Sequence, residues 1–82
     1  MPKKTFYVVQ PYVLGKRGAL RAGQAREARS AADAERMAER MAAMAAGAVA
    51  FSREVDPESD DAEPPVLIAS YGRVPDEALE VG

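Results

Sequence analysis

Apolar residues fill most of residues 5–14, TFYVVQPYVL, interrupted by Gln10 and Pro11, and the stretch is aromatic and β-branched. That pattern predicts a strand. Phe6, Val8, Gln10 and Tyr12 fall on one face, and Tyr7, Val9, Pro11 and Val13 on the other. Pro11 has no amide hydrogen to give a ladder, so the strand should lie at an edge or carry a bulge near Pro11. Gly15-Lys16-Arg17-Gly18 reads as a turn, and residues 15–29 as a connector of weak periodicity. Over 31–46 the period changes. Ala34, Met37, Ala38, Met41, Met44 and Ala45 recur at three- and four-residue spacing in a run of strong helix formers, which predicts an amphipathic helix. Ser30 and Asp33 form an S-x-x-D start signal, and Gly47 reads as a left-handed stop. Residues 48–55 and 66–74 read as two further strands. They are separated by the acidic, proline-bearing turn 56–65 and followed by a polar tail, 75–82.

The predicted order is therefore β-α-β-β in a small α+β domain, with a mixed or antiparallel sheet and one long helix on one face. The two strands about the acidic turn should form an antiparallel hairpin. The strands either side of the helix should run in the same direction, as in half of a split βαβ unit. Met37 and Met41 are expected in the core.

Composition narrows the chemistry. The 82 residues include no cysteine and no histidine. This removes disulfides, thiolate nucleophiles and the usual neutral-pH base, and with them nucleophile–histidine pairs and histidine-held zinc. The carboxylates fall in the turn, on the polar helix face or in the tail, where nothing would raise a pKa. We expect a non-enzymatic protein with no catalytic, cofactor or metal residues. Asp56, Glu58 and Asp60 alternate like the opening of a calcium loop, but Asp61 and Leu67 stand where that loop needs Gly and Glu. A solvated turn is the simpler reading. Lys3 and Lys4 precede an apolar stretch that Gln10 and Pro11 interrupt, so no export signal or membrane span is expected and the cytoplasm is the default location.

Charge is divided along the chain. Residues 1–30 carry seven cations and one carboxylate, whereas residues 31–82 carry four cations and twelve carboxylates. A dipolar chain of this kind can self-associate or bind an anion at one end. Lys16, Arg17, Arg21, Arg26 and Arg29, with Tyr12 nearby to stack on a base, are the candidate contacts to nucleic acid. One helix covers only one sheet face, so the leading expectation is a protein-interaction domain acting as a homodimer. Tyr7, Val9, Val13, Met37, Met41 and Met44 are the candidate interface, beside an unidentified protein partner. Gly15, Gly18 and Gly23 would let the connector straighten and the first strand cross into a partner's sheet.

Two resemblances arise from these residues. The opening Tyr7-Val8-Val9-Gln10, the Gly-Lys-Arg-Gly turn, the Ala/Arg/Glu-rich helix and Gly-Ala-Val-Ala-Phe-Ser-Arg at 47–53 resemble small uncharacterised proteins of proteobacteria, some of them phage-like. That likeness covers most of residues 6–74 and implies a fold but no activity. More loosely, the YVVQ strand, the Ala-rich helix, the GAVAF strand and the IASYGRVP strand resemble half of a SPOR domain, over roughly 6–51 and 67–75. That resemblance implies binding to peptidoglycan glycan strands. SPOR domains have two helices and a periplasmic address, whereas one clear helix and no export signal are expected here.

Overall fold

A computed structural model describes residues 4–56, 58 and 64–79. Strand β1 spans Lys4–Leu14, β2 Leu20–Ala22, β3 Arg26–Ala28, β4 Gly47–Val55 and β5 Val66–Gly72. Helix α1 covers Ala31–Met44, and a short α2 covers Asp76–Leu79. The fold is α+β: a five-stranded sheet with α1 packed on one face.

The connector is not loose. Its residues form β2 and β3, both antiparallel to β1 along one edge, with β4 on the other edge and β5 beyond it. This hairpin reverses the chain once more than the sequence reading allows for, so β1 and β4 run antiparallel rather than in the same direction. It also makes β1 a central strand and ties the connector to it. In this chain the connector is therefore paired with β1 and is not the straight spacer that the sequence reading allowed.

How a central strand accommodates a proline is visible at Gln10 and Pro11. Tyr12 pairs with Ala22 and Val9 with Arg26, so Gly23, Gln24 and Ala25 oppose only Gln10 and Pro11. This is a β-bulge with one extra residue. The Gly23 amide donates to the Pro11 carbonyl at 2.9 Å. Pro11 cannot return that bond. Instead, the Gln10 side-chain Nε2 donates to the Gly23 carbonyl at 2.7 Å and to the Pro11 carbonyl at 2.9 Å. A Cβ on Gly23 would sit 3.2 Å from Pro11 Cγ, which favours glycine there.

Helix α1 starts as its sequence predicts. Ser30 Oγ accepts from the Asp33 amide at 3.1 Å, and Asp33 Oδ2 accepts from the Arg29 amide at 3.1 Å. It ends at Met44, earlier than expected. The Ala46 amide donates instead to the Tyr12 carbonyl, and the Ala46 carbonyl accepts from the Arg73 amide, each at 2.9 Å. Gly47 is no left-handed cap. It opens β4, where any Cβ would overlap the Arg73 backbone.

The layer between helix and sheet is built mostly from alanine: Ala28, Ala34, Ala38, Ala48 and Ala50, with Val9. Small residues on both sides bring the helix close to the strands. Met37 and Met41 are only half-buried at its margin, and the expectation that they form the core gives way to Ala34 and Ala38, which are fully buried.

Candidate interaction surfaces

The strand alternation and register place Phe6, Val8, Tyr12 and Leu14 of β1 on the face opposite α1. Val49 and Phe51 of β4 and Leu67 of β5 share that face. Phe6, Val8 and Phe51 are half-buried, while Leu67 and Leu14 are 37% and 51% exposed. Among the described residues the chain returns to this face at its Tyr12 end. There Arg73, Pro75 and Ala78 line one cavity together with Tyr12, Leu20 and Ala22. Towards Phe6 and Phe51 no helix of the described residues lies on the sheet. The Lys4 ammonium stands 5.3 Å from the Phe6 ring centroid, a cation–π contact.

The sequence-based interface residues fall elsewhere. Tyr7 and Val9 face α1 and pack in the alanine layer, where Val9 is completely buried and offers nothing to a partner. Val13 projects on the helix side and is exposed. Met37, Met41 and Met44 line an open groove of about 420 Å³ together with Pro11, Arg26 and Arg40. Met44 is 89% exposed, an unusual state for a long apolar side chain at the end of a helix.

The proposed nucleic-acid contacts are dispersed. Lys16 and Arg17 form the β1–β2 tip, where Arg17 and Gly18 both take positive φ. Arg21 and Arg26 pair with Val13 and Val9 and so project on the helix side, whereas Tyr12 projects on the opposite face. The structure thus does not join Tyr12 and these guanidinium groups in one binding surface. Arg29 lies just beyond β3. Arg26 instead meets Arg40 of α1 across the groove, and Arg36 and Arg40 share a second hollow with Glu39 one turn along. Among the described residues neither Arg26 nor Arg40 is ion-paired.

The opposite flank of α1 is acidic. The Tyr71 hydroxyl of β5 donates to Glu35 Oε1 at 3.2 Å. Its phenol is held above the usual value by desolvation, then by the Glu35 charge and hydrogen bond, with a further contribution from Glu39.

The acidic turn 56–65 lies largely outside the described residues; within it the Glu58 amide donates to Asp56 Oδ1 at 2.9 Å. Among the described residues no group of three potential metal-binding side chains gathers, and no helix is long and apolar enough to cross a membrane.

A helix-free face was expected, but the sequence reading named Tyr7, Val9 and Val13 for the interface rather than the residues that lie there. Both alternating faces of β1 were visible, but nothing in β1 alone says which one the helix covers. The signal lies in β4, where Ala48 and Ala50 alternate with Val49 and Phe51. The small-residue face accepts a close helix. No family model, no curated protein and no solved structure matches this chain.

Proposed function

We propose that this chain is a non-catalytic protein-interaction domain that works as a homodimer, two copies facing each other through the helix-free side of the sheet. The observation that carries this is the distribution of apolar size. The alanines lie under the helix, while Phe6, Val8, Phe51 and Leu67 surround the buried Val49 on the face over which no helix of the described residues lies at that end. Strands spaced about 4.8 Å apart and rising about 3.3 Å per residue give this face an outline on the order of 500 Å². Glu27 beside Val8 and Arg53 beside Phe6 rim the apolar residues, and an apolar patch of a few hundred Å² is often functional. A second sheet packed about 10 Å away would complete a layered core with both helices outside.

Sedimentation equilibrium at micromolar concentration tests it. The expected mass is twice 8.8 kDa, falling to the monomer in Phe51→Lys. A clean 8.8 kDa species for the native chain refutes the dimer.

A second reading, a nucleic-acid-binding accessory protein, is favoured by the cations at the β1–β2 tip and along β3. Binding of that kind rests on phosphate contacts and should collapse between about 50 and 200 mM salt. Tight binding that survives moderate salt and is lost in Tyr12→Ala would replace the dimer reading with this one. The glycan-binding reading rests on the SPOR resemblance alone.

A further inference from the structure

The groove on the helix side goes beyond the dimer reading, because it lies on the opposite side of the sheet from the proposed contact. Its floor is Pro11 with Met37 and Met41, its open end is Met44, and its rim carries Arg26 from β3 and Arg40 from α1. We infer that this groove docks an acidic peptide segment of a partner protein, seating one large apolar side chain among the methionines and its flanking carboxylates on the two arginines.

Three observations support this occupant. Methionine is unbranched and polarizable, so a methionine-lined groove adapts to the shape of an inserted side chain. Met44 is almost wholly exposed, though it belongs to a helix whose other face is closely packed. Arg26 and Arg40 also form no ion pair among the described residues. Arg36 and Arg40 sit one helical turn apart, a like-charge spacing that weakens a helix by a few tenths of a kcal/mol. Arg26 is brought to the same rim from a different element. Planar guanidinium groups beside an apolar cleft suit carboxylates and are enriched at interaction hot spots. The described part of the chain's own acidic tail cannot be the occupant in cis, since Asp76–Leu79 lies towards the helix-free face near Tyr12.

The test follows the methionine methyl resonances while a short synthetic peptide alternating Glu with Leu and Phe is added. Saturable shifts at Met37, Met41 and Met44 are expected, with Phe6 and Val8 unmoved. Arg40→Glu should weaken binding about tenfold or more. Arg40 is exposed, so the variant should stay folded, and its circular dichroism melt verifies that. The double variant Arg26→Glu/Arg40→Glu should instead prefer the same peptide with Lys in place of Glu. Absence of shifts overturns the proposal, as do equal shifts with the Lys peptide against the native chain. So does an oligothymidine probe that moves these methyls when the acidic peptide does not. Sedimentation reads the dimer separately, so either reading can fail alone.

Discussion

The two faces of the sheet share every strand and divide the apolar residues by size. Against α1 lie Ala28, Ala48 and Ala50 with Val9; on the far side lie Phe6, Val8, Val49, Phe51 and Leu67. A helix settles where side chains are short, because both backbones can then approach and every methyl is in contact. Its larger apolar residues are left for another layer. In a chain of 82 residues, which buries only about 60–65% of its unfolded surface, that second layer is a substantial share of the available hydrophobic stabilisation.

The largest effect that separates the faces comes from one carboxylate placed on each. Ala38 is fully buried between α1 and the sheet. Ala38→Asp strands a charge there with no partner and should unfold the domain or cost several kcal/mol. Leu67→Asp adds the same charge to the helix-free face at an edge strand, at a position already 37% exposed. It should leave the fold intact and weaken the dimer. Met41→Asp should fall between the two, since Met41 is half-buried. Thermal melts at two protein concentrations measure all three. Equal losses at Ala38 and Leu67 would erase the distinction between the faces.

The elements with a strong period were legible in the sequence: β1, α1, β4 and β5 all lie close to their expected limits. The segment that became β2 and β3 was not. Its arginines, alanines and Gly23 have little strand preference of their own, and it is extended because β1 offers it a ladder. Missing that hairpin reversed the expected direction of β4 and left two readings of Pro11 open, an edge or a bulge, of which the bulge is the one formed. The end of α1 was obscured for a similar reason. Ala45 and Ala46 are good helix formers, but the Ala46 peptide is taken by Tyr12 and Arg73. The basic residues were legible as a cluster along the chain but not in space, because the sheet sends Tyr12 to one face and Arg21 and Arg26 to the other.

A moderate effect is expected where β1 carries its proline between the two faces. Gln10→Ala leaves the Gly23 carbonyl without its side-chain donor and should cost about 1 kcal/mol. Pro11→Val restores a main-chain amide at the position facing Gly23, so Gln10→Ala should cost much less in that background. A double-mutant cycle by urea denaturation gives the coupling directly. Additive costs would show that the glutamine does not substitute for the missing amide.

The smallest effect concerns how far the helix-side layer reaches towards the β5 edge. Tyr71 packs against that layer and donates to Glu35 on α1. Desolvation, then the Glu35 carboxylate, and Glu39 at lower weight, all disfavour the phenolate, so the folded value lies above 10.0. Below the unfolded value both states keep the proton and the interaction contributes fully. As pH rises through the higher folded value, the phenolate forms beside two carboxylates and that contribution is lost. Stability should therefore decline on the alkaline side, and ultraviolet titration should show a late phenol step from Tyr71. Tyr71→Phe should remove that late step. Glu35→Gln should bring it back towards the ordinary value while leaving the neutral-pH melt nearly unchanged, since the bond is exposed. A titration curve identical in native chain and Glu35→Gln would mean that α1 and β5 do not hold this contact in solution.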